Sequence, residues 1–288
     1  MDKKQIIALL NKDLEDEHGA IGQYLSHAYA MGEGEMACEI EAIAREEMRH
    51  LDWLAEKIVE LGGQPSLKRG HMIMGGQPVK QWMENDVRLE TGAVEQYRQH
   101  IGLIEDKGIK RLLERILSDE ESHRMDFGKF VQEAQEEGIK DLRGSHSDDV
   151  IKALNWGIEH EYTVILQYLF QSYMTTNREA KKQFEDQAVN EMQHLGWLAE
   201  KIVGRKGSPV MKHKEVDTST DLVHGLKADV KIERQVAEAY DKYAAAADDP
   251  GVKKLLLRLR DHELYHVDVF SDLLMEEQFK REEDEEGE

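Results

Sequence analysis

An internal repeat governs how this 288-residue chain can fold. The segment HLDWLAEKIV at 50–59 returns as HLGWLAEKIV at 194–203, 144 positions later. Six earlier positions repeat in the same way: Glu17, Ile21, Gln23, Tyr24, Leu25 and Tyr29 recur as Glu161, Ile165, Gln167, Tyr168, Leu169 and Tyr173. Each copy is long enough to bury a core of its own, so the repeat predicts two domains with one fold.

Glycine and polar residues separate the two copies in the segment GIKDLRGSHS at 138–147. We therefore expect one domain at 1–144 and a second at 145–280. The remaining residues, 281–288, are mostly acidic and predict a disordered tail.

The composition of both copies is typical of helices. Only four prolines occur, and Ala, Leu, Glu, Lys and Gln fill long stretches without the alternation of strands. The pattern predicts an all-α fold of two tandem four-helix bundles, with helices at 2–31, 36–61, 78–106, 108–137, 147–175, 178–203, 219–247 and 250–280. The longest break in each half follows its second helix, which predicts a long crossover between helices 2 and 3.

Charge and cysteine usage exclude several classes of function. The formal net charge of -21 disfavours binding to nucleic acid or to an anionic membrane. The single cysteine, Cys38, excludes an intrachain disulfide and a four-cysteine metal site. The sequence shows no signal-peptide pattern and no apolar run of 18 residues, so we expect a cytoplasmic protein.

Each predicted helix of the first half carries a glutamate within its apolar stripe: Glu17, Glu47, Glu90 and Glu120. Four carboxylates buried together would repel one another and would lose their hydration. A cation among them removes both penalties.

The spacing of the polar residues indicates which cation. Glu47 and Glu120 each precede a histidine by three residues, which places both side chains of the pair on one helix face. Each pair follows another inward glutamate by 30 residues, and the second half repeats this arrangement. Such ligand sets bind two iron or manganese ions. The predicted metal ligands are Glu17, Glu47, His50, Glu90, Glu120, His123, Glu161, Glu191, His194, Glu233, Glu263 and His266. A further pair, Glu15 and His18, lacks the preceding glutamate and is interpreted as a surface pair.

Closely spaced cations need shared carboxylates, and the glutamates of the Glu-x-x-His pairs are central enough to bridge. In the first half, Glu47 and Glu120 are therefore expected to bridge, with Glu17 and His50 on one ion and Glu90 and His123 on the other. In the second half, Glu191 and Glu263 bridge, Glu161 and His194 complete one ion, and Glu233 and His266 complete the other. The ligand types do not separate iron from manganese.

With these residues identified, each half resembles bacterioferritin and, more broadly, the ferritin-like di-iron proteins. The similarity is carried by EHGAIGQYLSHA at 17–28, EMRHLDWLAEKI, EMQHLGWLAEKI, DVRLETGA and LSDEESH. The resemblance implies ferroxidase activity, in which dioxygen or hydrogen peroxide oxidises bound Fe(II) at two di-iron centres, and it places Tyr24 and Tyr168 beside them. These phenols are either core aromatics or groups that bond ligands or donate an electron.

The resemblance also implies two further features. Bacterioferritin binds haem b through a methionine directly after the bridging glutamate of the second helix, and Met48 and Met192 occupy that place. The bundle faces are the surfaces through which a homo-oligomer would form.

Other functions remain open on the sequence. A rubrerythrin-like peroxide reductase has a further glutamate one turn after the third-helix ligand, where this chain has Ala93 and Val236. A manganese catalase-like enzyme would use the same ligands. Outside catalysis, a non-catalytic iron carrier or a haem-bridged electron-transfer module fits the same residues.

Overall fold

The computed structural model describes residues 1–76 and 78–287, together with the side chains of 1–76 and 78–283. All regular secondary structure in these residues is helical, as the sequence predicts. The helices are α1 (Lys3–Met31), α2 (Glu35–Glu60), α3 (Val79–Leu103), α4 (Lys107–Glu136), α5 (Asp149–Met174), α6 (Arg178–Gly204), α7 (Leu222–Ala246) and α8 (Pro250–Gly287).

The chain divides into two compact units between Gly144 and Ser145. Within the first unit, α1 packs along α2 and α3 along α4, with additional contacts between α1 and α3 and between α2 and α4. Within the second unit, α5 to α8 pair in the same order. Each unit is therefore a four-helix bundle. No helix in the described part of the chain is both long and apolar enough to cross a membrane.

Local caps determine where most helices begin. Asp2 and Gln5 form a reciprocal capping box at the start of α1, with bonds of 3.0 and 2.8 Å. Asp106 accepts bonds from the amides of Gly108 and Ile109 and thereby starts α4. Because Ile104 is already extended, α3 ends at Leu103, three residues before the predicted end.

The structure differs from the prediction at the end of the chain. Helix α8 continues to Gly287, whereas the acidic composition of 281–288 predicts a disordered tail. Glutamate, lysine and arginine are good helix formers, and Arg281 also pairs with Asp221 at 2.8 Å. Residue 288 lies outside the described residues.

The crossover of the first unit covers one side of α1. The amide of Gly70 donates to the Glu15 carbonyl oxygen at 2.6 Å, and a Cβ on Gly70 would lie 2.6 Å from that oxygen. This close approach explains why glycine stands there. The spare Glu-x-x-His pair therefore does not lie on the surface as predicted: His18 is buried, with Nδ1 donating to the Lys68 carbonyl at 3.3 Å.

A buried glutamine on the first helix of each unit holds the crossover against the third helix. Gln23 Nε2 donates to Asp86 at 2.6 Å, while its Oε1 accepts from the amide of Ile73 at 2.5 Å. Gln167 makes the same two contacts, with Asp229 at 2.6 Å and the amide of Asp217 at 3.0 Å. Both glutamines serve packing inside a bundle.

The two buried aspartates have different partners. Asp86 Oδ2 lies 2.9 Å from Nδ1 of the buried His27. At the position of His27 the second unit has Gln171, whose amide reaches Asp229 only at 3.4 Å. Burial raises the pKa of Asp229 to about 8 despite its bonds from Gln167 and Gln171. Its ionisation therefore destabilises the second unit progressively as the pH rises from about 4 to about 8.

We expect Asp229→Asn to increase the free energy of unfolding of the second unit by roughly 1–3 kcal/mol at pH 8, and to change it little at pH 4. Hydrogen exchange of the α7 amides in the metal-free chain measures this local stability. The matched variant Asp86→Asn breaks the contact with His27 and should instead weaken protection in α3. Equal effects of the two variants would contradict this account.

Candidate metal centres

Six polar side chains converge inside the first bundle, at mid-length of its four helices. None has more than 4% of its surface exposed. Helices α1 and α3 contribute one glutamate each, and α2 and α4 contribute a glutamate and a histidine each, because a spacing of three residues keeps both side chains on one face. The six residues are Glu17, Glu47, His50, Glu90, Glu120 and His123.

These side chains form two groups that share two glutamates. In each group the ligand atoms lie within 4.8 Å of one another. The first group is Glu17, Glu47, His50 and Glu120, and the second is Glu47, Glu90, Glu120 and His123. The shared members, Glu47 and Glu120, are those that the sequence predicts to bridge.

The carboxylate of Glu47 lies between the two histidines. Its Oε2 is 2.8 Å from His50 Nδ1, and its Oε1 is 2.9 Å from His123 Nδ1. Glu120 approaches the His50 ring from the adjacent helix α4, with Oε1 3.0 Å from His50 Nδ1. One oxygen toward each histidine is the arrangement expected of a carboxylate that bridges two cations.

The second bundle repeats the arrangement. Glu191 places Oε2 at 2.6 Å from His194 Nδ1 and Oε1 at 2.7 Å from His266 Nδ1. Glu263 lies on the opposite side, at 3.3 and 3.2 Å from the same two nitrogens. The two groups here are Glu161, Glu191, His194 and Glu263, and Glu191, Glu233, Glu263 and His266.

Burial and mutual repulsion shift the pKa values of the side chains in the first centre. Burial, with the negative charges of Glu120 and Glu47, raises the pKa of Glu17 and of Glu90 far above the ordinary value. Burial would lower the pKa of His123, but Glu47 and the other carboxylates raise it to about 9. Protons therefore remain on these groups at neutral pH when no metal neutralises the carboxylates.

Several buried oxygen and nitrogen atoms in the two centres have no hydrogen-bond partner among the described residues. Glu47 Oε1 and His123 Nδ1 lie only 2.9 Å apart, yet they are not aligned for a hydrogen bond with each other. Both atoms thus point toward a common space. Buried polar atoms without partners are rare in folded proteins, and a cation in that space would satisfy them. The oxygen and imidazole donors suit iron or manganese.

Tyrosines hold the outer glutamates in place. Tyr24 donates its hydroxyl hydrogen to Glu90 Oε1, and Tyr168 donates to Glu233 Oε1. All four of these residues are fully or almost fully buried. The position beside the centres that the resemblance implies for Tyr24 and Tyr168 therefore corresponds to direct contact with two candidate ligands.

A second pair of tyrosines, Tyr97 and Tyr240, has the same kind of contact with the other two outer glutamates. Tyr97 donates to Glu17 Oε1 and Tyr240 donates to Glu161 Oε1. The signal was present in the sequence, because each of these tyrosines follows its third-helix glutamate by seven residues, just as Tyr24 follows Glu17. A spacing of two helical turns along one face brings each phenol to the glutamate ligand on the neighbouring helix.

Comparison with family models gives the same result for both halves. The family model described as "Ferritin-like domain" matches residues 7–136 and again residues 151–279. A bacterioferritin of Desulfovibrio desulfuricans is 35% identical over 127 residues, covering 42% of this chain and 71% of that protein. A bacterioferritin of Streptomyces coelicolor is 32% identical over 125 residues, covering 41% and 75%.

A solved structure of the Desulfovibrio desulfuricans bacterioferritin, which describes its diiron site in different catalytic states, is also similar. It is 33% identical, covers 46% of this chain and 82% of its own, and has a TM-score of 0.45.

Proposed function

The chain belongs to the ferritin-like domain family, which each of its halves matches, and from this premise we propose that it is a ferroxidase-type iron-handling protein. Its substrate is Fe(II), and its oxidant is dioxygen or hydrogen peroxide. The six buried side chains of each bundle, including the bridging pairs Glu47 with Glu120 and Glu191 with Glu263, are proposed as the ligands of a di-iron centre.

The observation that carries this proposal is the pairing of two ligand groups through two shared carboxylates. Such a site holds two cations close together. Each Fe(II) can give up one electron, so a pair reduces dioxygen to hydrogen peroxide, or hydrogen peroxide to water, with the uptake of two protons. A carrier of single ions needs no such pairing.

The protein's own residues position the carboxylates. Tyr24 and Tyr97 each donate to one oxygen of Glu90 and Glu17, respectively, which leaves the other oxygen of each glutamate for the interior. Glu90 Oε2 has no hydrogen-bond partner in the described residues. We propose that the tyrosines fix the orientation in which these glutamates bind iron, and that Tyr168 and Tyr240 do so in the second unit.

The relatives that the chain matches are bacterioferritins, which favours iron handling over the alternative activities. Ala93 and Val236 provide no additional carboxylate for a rubrerythrin-like site. Three features stay predictions: manganese in place of iron, haem b at Met48 and Met192, and a homo-oligomer. Both methionines are partly buried within their own units.

Anaerobic loading with Fe(II) followed by dioxygen tests the proposal. We expect oxidation of bound Fe(II) much faster than in buffer, with dioxygen consumed in proportion to the iron oxidised. Iron that binds but oxidises only at the rate seen in buffer would refute the proposal and indicate a carrier. Rapid evolution of dioxygen from peroxide by the manganese-loaded chain would instead indicate a catalase-like enzyme.

Tyr24→Phe should slow Fe(II) oxidation in the first unit by roughly ten-fold, because a buried carboxylate oxygen of Glu90 loses its donor and the ligand its orientation. The rate is measured by stopped-flow absorption in a chain whose second centre is disabled by Glu191→Ala. Tyr29→Phe, which removes a hydroxyl from the same helix twelve residues after Glu17, is the matched control. An unchanged rate of Fe(II) oxidation in Tyr24→Phe would contradict the orienting role and mean that Tyr24 is only a core aromatic.

A further inference from the structure

The two centres share their six ligands and their tyrosines, but they differ in the residue directly before each bridging glutamate. The first unit has Glu46 and Asp119 at these positions, and both are acidic. The second unit has Asn190 and His262, which carry no negative charge. The chain therefore contains both versions of these two positions in one fold.

In the first unit these acidic residues reach the outer nitrogens of the histidines. His123 Nε2 lies 2.8 Å from Glu46 Oε2, and His50 Nε2 lies 3.4 Å from Asp119 Oδ2. The inner nitrogens of both rings face the shared carboxylates. A histidine that binds metal through Nδ1 carries its hydrogen on Nε2, so each ring donates that hydrogen to a carboxylate.

In the second unit the outer contact of His194 is made by a neutral group. His194 Nε2 lies 2.9 Å from His262 Nδ1, an imidazole nitrogen in place of a carboxylate oxygen. Asn190, at the position of Glu46, instead donates its amide to Gln187 at 3.0 Å. The second centre thus has the same inner ligands but no acidic residue at either outer position.

Arginines lie beside the outer residues of both units. In the first unit each acid is paired with one, Glu46 with Arg49 at 2.9 Å and Asp119 with Arg115 at 3.1 Å. In the second unit the counterpart of Arg115 is Arg258, which lies over the ring of Trp197 at 3.9 Å, and Trp197 lies 6.0 Å from the ring of His262. A cation next to the outer histidine disfavours additional positive charge at the second centre.

A carboxylate that accepts the outer hydrogen of a histidine increases the electron density on the inner nitrogen and fixes the orientation of the ring. Both effects strengthen the bond to a cation, and the added electron density strengthens it most for the more highly charged ion. A neutral acceptor fixes the ring without adding negative charge. The outer residues therefore act on metal through the histidines, as positioning residues.

We infer that the two centres are not equivalent: the first-unit centre binds divalent metal more tightly and retains ferric iron more strongly than the second-unit centre. The inference rests on the proposed function only in that both centres bind metal. It assigns Glu46 and Asp119, against Asn190 and His262, as the residues that set this difference. One chain would then contain two centres with different ferric/ferrous midpoint potentials, the lower one in the first unit.

Titration with Co(II), which dioxygen does not oxidise under these conditions, tests the inference independently of ferroxidase activity. The ligand-field absorption should show two classes of site whose Kd values differ by roughly ten- to hundred-fold. The tight class should disappear in Glu47→Ala and the weak class in Glu191→Ala. Two centres with the same Kd would overturn the inference, even if Fe(II) oxidation is observed.

Exchanging the outer residues provides the decisive comparison. Asn190→Glu with His262→Asp should tighten the second centre, and Glu46→Asn with Asp119→His should weaken the first, each by roughly ten-fold or more. The milder pair Glu46→Gln with Asp119→Asn removes charge at nearly constant shape and covers the case in which an exchange variant fails to fold. The ferric/ferrous midpoint potential of each centre should move in the opposite direction to its affinity. Exchanges that leave both Kd and potential unchanged would overturn the inference.

Discussion

In the Glu47→Ala chain, bound iron should fall from roughly four ions per chain to roughly two, with the second unit still loaded. Glu47 places one oxygen near His50 and the other near His123, so its removal deprives both metal positions of the first unit of a shared ligand. Metal analysis after desalting measures the stoichiometry. Glu191→Ala should give the mirror result, since Glu191 lies between His194 and His266 in the same way.

The control for this prediction is a glutamate that lies on the same helix outside the centre. Glu41→Ala changes α2 six residues before Glu47, where the side chain pairs with Arg45 at 3.8 Å on the surface. This variant should retain all of its iron. Loss of iron from both units in Glu47→Ala would contradict independent centres, and retention of all the iron would contradict the bridging role of Glu47.

Much of the fold could be predicted from the sequence because the repeat and the apolar stripes are local patterns. The inward positions of Glu17 and Glu120 follow from helical periodicity alone, and both are buried in the structure. The order in which the helices connect could be predicted from the lengths of the connections, since within each half only the connection after the second helix is long. The two family-model matches, at 7–136 and 151–279, agree with the predicted tandem repeat.

What the sequence did not reveal depends on contacts between distant segments. His18 looks like a surface residue in the pattern of α1, and it is buried only because the crossover passes over it at Lys68. The role of Tyr97 depends on Glu17, 80 positions away, and the partner of His194 depends on His262, 68 positions away. A helical pattern states which face a residue occupies, but not which residue of another helix it meets.

The free energy of unfolding of the metal-free chain should decrease as the pH rises from about 6.5 to about 9. The direction follows from groups whose pKa values are raised in the folded state. Burial would lower the pKa of His123 and of His266, but the surrounding carboxylates raise both to about 9. Burial raises the pKa of Glu17 and of Glu90 well above the ordinary value. In this window the folded chain holds protons that the unfolded chain has released, so its stability decreases with pH.

Metal should reverse this trend, because a cation replaces the protons and binds more tightly as the ligands lose them. At a hundred times Kd, one occupied site adds about 2.7 kcal/mol to the free energy of unfolding. For a unit of this size that corresponds to a rise of roughly 5–15 °C in Tm. Calorimetry of the metal-free and the Co(II)-loaded chain from pH 6.5 to 9 should therefore show a gap that widens with pH. Sodium chloride at equal ionic strength controls for screening. A metal-free chain that becomes more stable over this range would mean that protons do not neutralise these buried carboxylates. A Tm that Co(II) leaves unchanged would mean that the carboxylates do not require a cation.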